Sequence, residues 1–137
     1  MVRRALMWCL AGAVLLAMTA PVAAHHAVSA EFDQDKPIKF TGKIKTIEWM
    51  NPHIYTQVEV KEADGKTVVY RVEGGAPNAL YRAGWRKDSL KVGEVVTVSG
   101  VRAKAANSMN VGQASITTAD GKYYYVAPGG NRGAPQQ

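Results

Sequence analysis

The fold is decided by residues 38–73, IKFTGKIKTIEWMNPHIYTQVEVKEADGKTVVYRVE. They contain three stretches of alternating polarity that are separated by two breaks. Apolar or small side chains occupy every second position from Ile38 to Ile44, and the alternation then changes parity. Successive side chains of a strand point to opposite faces, so a parity change within one strand predicts a β-bulge. The dipeptide Asn51-Pro52 ends this first strand.

The second and third stretches predict a hairpin. Residues 53–60 and 67–73 both alternate, and the Ala-Asp-Gly-Lys sequence at 63–66 between them is typical of a turn. His53 and Tyr55 share the polar face of the second strand. This face is therefore predicted to point away from the core.

The remainder of the chain supplies a helix and three more strands. Residues 77–83 predict a short helix, with a proline in its first turn and a glycine after its end. Strands are predicted at 95–101, 111–117 and 122–126, the last after a second Ala-Asp-Gly-Lys turn. The element order predicts a mainly β protein, specifically a small OB-like antiparallel barrel. It would have five strands, a short helix between strands 3 and 4, and a C-terminal hairpin extension. Another small antiparallel barrel or sandwich is the alternative.

Length and composition exclude several classes of protein. The 137 residues are 47% hydrophobic and 20% charged, with a single cysteine. Collagen-like, low-complexity and disulfide-scaffold proteins have different compositions. A chain of this length is expected to form one domain.

The first 24 residues have the pattern of a secretory signal peptide. Arg3 and Arg4 precede an apolar stretch at 5–20, and small residues stand at the −1 and −3 positions of a cut after Ala24. The apolar stretch is shorter than the ~20 residues that span a bilayer, which argues against an uncleaved membrane anchor. We therefore expect cleavage, a periplasmic location and a product that is not embedded in the membrane.

Removing this segment changes the cysteine content and the net charge of the chain. The only cysteine, Cys9, would be lost, and the net charge would fall from +6 to +4. The rest divides into an N-terminal arm at 25–36, the OB-like domain at 37–127 and a tail at 128–137 that is predicted to be disordered. Export also excludes nucleic acid as an ordinary partner, leaving a metal ion or an envelope component.

All three histidines of the chain lie outside the signal segment, and cleavage would make His25 the N-terminal residue. Its α-amine, with a pKa of only ~8, and its imidazole can chelate one metal ion. His26 or His53 would add a further imidazole, and nitrogen ligands of this kind favour copper. The arrangement is similar to the histidine brace of copper-dependent polysaccharide monooxygenases, through the N-terminal histidine and one other only. The sequence places no Asp or Glu at a ligand interval from His53.

Two other interpretations remain open at this stage. His25 and His26 could belong to a disordered N-terminus, with His53 in a turn. The protein could also be a non-catalytic envelope-binding module whose barrel face, including Tyr55, holds a glycan, a peptide or a protein. The sequence contains no nucleophile elbow, P-loop, zinc-protease or dinucleotide-binding motif, so no catalytic residue is predicted and an enzyme is disfavoured.

Four segments of the chain together resemble a known family. They are His-His-Ala at 25–27 with Glu-Phe-Asp at 31–33, Glu-Trp-Met-Asn-Pro-His at 48–53, Ala-Pro-Asn-Ala-Leu at 76–80 with Gly-Trp at 84–85, and Asp-Ser-Leu-Lys-Val-Gly at 88–93 with Val-Thr-Val-Ser-Gly at 96–100. The family consists of small bacterial exported proteins of unknown function, and its most specific motifs are the His-His start and Trp-x-Asn-Pro-His. The resemblance implies a single periplasmic domain and no assigned activity.

Overall fold

The computed structural model describes residues 30–125 of the chain. Its elements, in chain order, are β1 (Phe32–Glu48), β2 (Tyr55–Lys61), β3 (Thr67–Glu73), α1 (Pro77–Arg82), β4 (Val95–Ala103), β5 (Asn110–Thr118) and β6 (Tyr123–Tyr125). The predicted mainly β structure, with a short helix between the third and fourth strands, is confirmed. The predicted signal segment, residues 25–29 of the arm and the tail lie outside the described residues.

The strands are connected in a closed ring of backbone pairing. The order β3-β2-β1-β4-β5-β6 is antiparallel at each step, and β3 also pairs in parallel with β5. This second pairing of β3 joins the two ends of the five-stranded order, while β6 extends from β5 alone. The β3–β5 pairing consists of two residue pairs, Arg71 with Asn110 and Val72 with Val111.

The predicted bulge in the first strand is confirmed. The pairing of β1 with β2 shifts by one residue between Ile44 and Thr46, where the parity of the sequence changes. Strand β1 begins earlier than the alternation predicts, at Phe32 rather than near Ile38. The polarity of residues 33–37 does not alternate, and β1 is held here only by its pairing with β4. That pairing is itself irregular between Phe32 and Pro37.

A second bulge lies in β5. Ser99 of β4 pairs with Ser115, but Val101 pairs with Gly112, so β5 contains one extra residue at this point. Gln113 lies within the irregularity and has a φ of 48°. This is the left-handed region, which costs an L-residue about 1–2 kcal/mol relative to ordinary backbone.

The core consists of buried side chains from the strands, from α1 and from the segments that connect them. Its buried members are Ile44, Ile54, Val58, Tyr70, Val72, Leu80, Trp85, Leu90, Val96, Val98, Val111, Ala114 and Ile116. Aromatic pairs extend it, since Phe40 stacks on Tyr70 with 4.3 Å between the ring centroids and Trp85 meets Tyr124 edge to face at 4.8 Å. The alternation of residues 54–60 and 68–72 correctly predicts which side chains of the hairpin face this core.

The two Ala-Asp-Gly-Lys segments form equivalent turns. Gly65 and Gly121 have φ values of 85° and 84°, which glycine adopts without a steric penalty. In each turn the aspartate forms an ion pair of 3.0 Å with the lysine two residues later. Over residues 30–125, the structure contains no helix that is long and apolar enough to cross a membrane.

Candidate functional site

The segment between β1 and β2 places His53 beside the end of β3. The peptide bond between Asn51 and Pro52 is cis. Ile54 then donates its backbone N–H to the Gly75 carbonyl at 3.1 Å and accepts from the Gly74 N–H at 2.8 Å. These two bonds hold the start of the hairpin against the residues that directly follow Glu73.

A glycine is needed at position 74 for this approach. A Cβ placed on Gly74 would be 2.6 Å from Cγ1 of Ile54, whose side chain is fully buried. Any larger residue would push the two segments apart. The Gly74-Gly75 pair therefore ends β3 and also allows the neighbouring His53 and Glu73 to meet.

His53 and Glu73 form the central pair of the site. Nδ1 of His53 lies 2.5 Å from Oε1 of Glu73. The histidine side chain is 34% exposed and that of the glutamate 10%. An imidazole with one nitrogen engaged by a carboxylate and part of its ring exposed retains its second nitrogen, Nε2, for another partner.

The environment of Glu73 disfavours its charged form. Burial raises the pKa of the Glu73 carboxyl above its usual value, and the negative charge of Glu31 acts in the same direction. The His53 imidazole and the Arg71 guanidinium oppose this increase. A buried carboxylate of this kind is stable only with a hydrogen-bonding partner, which His53 provides.

Beside this pair, polar side chains connect three strands. The Arg71 guanidinium lies 3.4 Å from the centroid of the Tyr55 ring and donates through Nη2 to Oε2 of Glu48 at 3.4 Å. Gln57 donates to the other oxygen of Glu48 at 2.8 Å. The pairing explains the cluster, because Glu48 and Glu73 both lie opposite Tyr55 and Gln57 lies opposite Arg71.

Tyr55 is part of this cluster rather than an open surface. Burial, followed by the charge of Glu73, raises the pKa of its phenol. The guanidinium of Arg71 covers one face of the ring. A glycan or another flat ligand that stacks on this face must first displace Arg71.

Glu31, directly before β1, acts electrostatically on the same cluster. The backbone N–H of Lys104 donates to the Glu31 carbonyl at 2.9 Å, and Phe32 is buried. The charge of Glu31 raises the pKa of both Glu73 and Tyr55. The charge of Glu31 therefore acts on the candidate site.

The three sequence-predicted ligands are only partly represented in the structure. His53 lies in the site, whereas His25 and His26 lie outside the described residues. Among residues 30–125, no group of three or more His, Cys, Asp or Glu side chains is arranged to hold a metal ion. The described part of the site thus offers the His53–Glu73 pair, to which further ligands would have to be added.

Sequence reasoning missed Glu73, because it searched for carboxylates near His53 along the chain and this one is 20 residues away. The signal was present in the predicted hairpin. Continuing the pairing outward from the turn at 63–66 places residue 73 opposite Tyr55, as the structure shows. The contact with His53 also needs the close approach at Gly74, which no local pattern indicates.

The fold and the site define a class: a mainly antiparallel β protein in which a buried glutamate holds a histidine at the end of a hairpin. The chain belongs to a family of unknown function, DUF6152, whose model matches residues 13–113. The resemblance inferred from the sequence is confirmed at this level, and the matched range includes all three histidines and Glu73. No curated protein and no solved structure matches the chain.

Proposed function

We propose that the protein is an exported metal-binding protein whose metal is copper. The ligands are the α-amine and imidazole of His25 together with His53, and His26 is available as a further imidazole. This proposal includes cleavage of the signal segment after Ala24 and a periplasmic location. Nitrogen ligands of this set favour Cu(II) over the other divalent first-row metals.

The observation that carries the proposal is the His53–Glu73 pair, in which a buried carboxylate contacts Nδ1 of a histidine whose side chain is 34% exposed. Glu31 is close enough for its charge to raise the pKa of Glu73, whose carboxylate contacts His53. His25 precedes Glu31 by only six positions. An extended chain of that length covers at most about 20 Å, and in the proposed molecule this length returns the amine of His25 to the His53 ring.

The ring of paired strands supports an OB-like barrel as the scaffold. Its order β1-β2-β3-β5-β4, with α1 between β3 and β4, is the arrangement expected of this five-stranded Greek-key fold. In the proposed molecule, the barrel fixes His53 and Glu73 while the preceding arm brings the N-terminal ligands.

The experiment is a calorimetric titration of Cu(II) into the protein produced from the full coding sequence with its own leader. The buffer must not coordinate copper, and mass spectrometry establishes that the purified chain begins at His25. The comparison protein carries three glycines inserted between Ala24 and His25, which displaces the amine. A three-residue insertion is needed because one or two glycines would leave a histidine at the third position and create a different copper chelate.

We expect one tight Cu(II) site in the wild type, with affinity lowered more than roughly 10-fold by either the insertion or His53→Gln. His26→Gln tests the additional imidazole and is expected to have the smaller effect. Equal and weak affinity in the wild type, the insertion variant and His53→Gln would overturn the proposal. So would a purified chain that keeps residues 1–24.

A further inference from the structure

The two nitrogens of the His53 ring have different surroundings. Nδ1 lies 2.5 Å from Oε1 of Glu73, on a side chain that is only 10% exposed. The backbone of Glu73 pairs with Tyr55, and Gly74 donates to the carbonyl of Ile54. The carboxylate is therefore held on one side of the ring by the hairpin itself.

A carboxylate in this position controls which nitrogen carries the proton. Neutral imidazole has one N–H and one lone pair, and a carboxylate accepts only from the N–H. The contact with Glu73 therefore favours the tautomer with the proton on Nδ1. Carboxylates beside metal-binding histidines commonly fix the ring in this way.

We propose that Glu73 is a positioning residue, which holds His53 in the Nδ1–H tautomer and in one ring orientation so that Nε2 is the atom that binds the metal. The identity of the bound species rests on the proposed function, whereas the tautomer rests on the His53–Glu73 contact alone. Glu73 acts here through His53 and does not itself contact the ion.

Several features of the site fit this role. An exposed glutamate loses side-chain conformational entropy when it forms such a contact. Glu73 is already buried, and the Arg71 guanidinium is a further charge near its carboxylate. His53 is the more exposed partner. The pair is therefore arranged with the carboxylate buried and part of the imidazole exposed.

The first test measures the tautomer without any metal. In protein labelled with ¹⁵N at histidine, the long-range couplings of the ring distinguish a protonated from an unprotonated nitrogen. We expect a protonated Nδ1 and an unprotonated Nε2 in the wild type at a pH where His53 is neutral. We expect a mixture of tautomers in Glu73→Leu, which fills the same space without an acceptor.

The second test measures Cu(II) affinity in the same proteins. We expect Glu73→Leu to weaken binding by roughly 10- to 100-fold, as removal of such partners does in other metal sites. Glu73→Gln retains a carbonyl oxygen that accepts from Nδ1–H and should restore part of the affinity and the tautomer. Glu59→Leu is the matched control, because it removes an exposed glutamate from β2 and should change neither.

Amide NMR spectra must show that each variant keeps the wild-type fold. An unprotonated Nδ1 in the wild type would overturn the proposal. So would an unchanged tautomer and an unchanged affinity in folded Glu73→Leu. If the wild type binds no copper, the metal function fails, and the tautomers of the wild type and Glu73→Leu alone decide the role of Glu73.

Discussion

The ring of Phe32 lies against the backbone of Gly112, so that a Cβ placed on Gly112 would be only 2.6 Å from Cε2 of the ring. Phe32 is 3% exposed and is the first residue of β1. The contact fixes the start of β1 on β5, beyond the irregular pairing with β4. It anchors the chain directly after Glu31, where the proposed arm reaches the site.

Gly112→Ala should therefore destabilise the protein. The added methyl group would overlap a buried aromatic ring, and overpacking of this kind costs about 1–3 kcal/mol. The free energy of unfolding in urea measures the loss. The double variant Phe32→Leu/Gly112→Ala should lose less than the sum of the two single changes, because leucine leaves room for the methyl group. Strict additivity of the two changes would contradict the contact.

Gln113 provides a test of backbone strain. With a φ of 48°, it occupies a conformation that glycine adopts freely and β-branched residues avoid. We expect stability to decrease in the order Gly, Gln, Val at this position, with Gly and Val separated by about 1–2 kcal/mol. Urea unfolding of the three proteins gives the order, and a valine variant as stable as the glycine variant would rule out the left-handed conformation.

The stacking of Arg71 on Tyr55 should be measurable as a coupling energy. The guanidinium lies 3.4 Å from the ring centroid and also bonds Glu48, but the pair is partly exposed. A double-mutant cycle of Arg71→Gln and Tyr55→Leu is expected to give about 0.5–1 kcal/mol of favourable coupling. Arg82→Gln serves as a control at an exposed position at the end of α1. A coupling of zero would mean that the two side chains do not interact in solution.

The turn at 119–122 predicts a pH dependence of stability. The Thr118 hydroxyl and the Lys122 ammonium lower the pKa of Asp120 from 3.8 to about 2. A carboxyl with a depressed pKa contributes stability above its unfolded-state pKa and loses that contribution as pH falls through the folded-state value. The effect of Asp120→Asn should thus be present at pH 7 and disappear between pH 3.8 and about 2.

Urea unfolding at several pH values measures this difference, with Asp88→Asn, also an exposed aspartate, as the control. Asp64 occupies the equivalent position in the first turn, and its pKa is also lowered, chiefly by hydrogen bonds from Lys66. Asp64→Asn should therefore show a pH dependence of the same sign. A destabilisation by Asp120→Asn that is the same at pH 7 and pH 2 would contradict the ion-pair explanation.

Copper should stabilise the protein, because the proposed site exists only in the folded chain. A ligand at 100 times its dissociation constant adds about 2.7 kcal/mol when it binds only the folded state. We expect Cu(II) to raise the Tm of the processed wild type and to raise that of His53→Gln much less. Calorimetric melting with and without copper measures both shifts. An equal shift in the two proteins would place the copper elsewhere on the chain.

Local sequence patterns were sufficient for most of the fold. The helix at α1, the hairpin turn at 63–66 and the bulge after Ile44 each follow from residues that are neighbours along the chain. The early start of β1 did not follow, because residues 33–37 have no apolar face and their strand conformation depends on pairing with β4. A strand whose side chains stay exposed leaves no alternation of polar and apolar residues in the sequence.

The candidate site shows the same division. His53 and Tyr55 were identifiable because their residue types and shared face are properties of one strand. Glu73 was not identified, because its contact with His53 depends on the register of the hairpin and on Ile54 packing closely against Gly74. Site residues that lie on one strand can thus be predicted from the sequence. A residue that a distant strand contributes can be identified only from the three-dimensional structure.

The shortest strand pairing in the ring lies directly before Glu73. Two residue pairs, Arg71 with Asn110 and Val72 with Val111, close β3 onto β5. Short strand pairings of this kind open more often in the native state than long ones do. An opening here leaves β3 paired with β2, and the bonds of Ile54 to Gly74 and Gly75 stay in place. The imidazole therefore keeps its carboxylate while the ring is open.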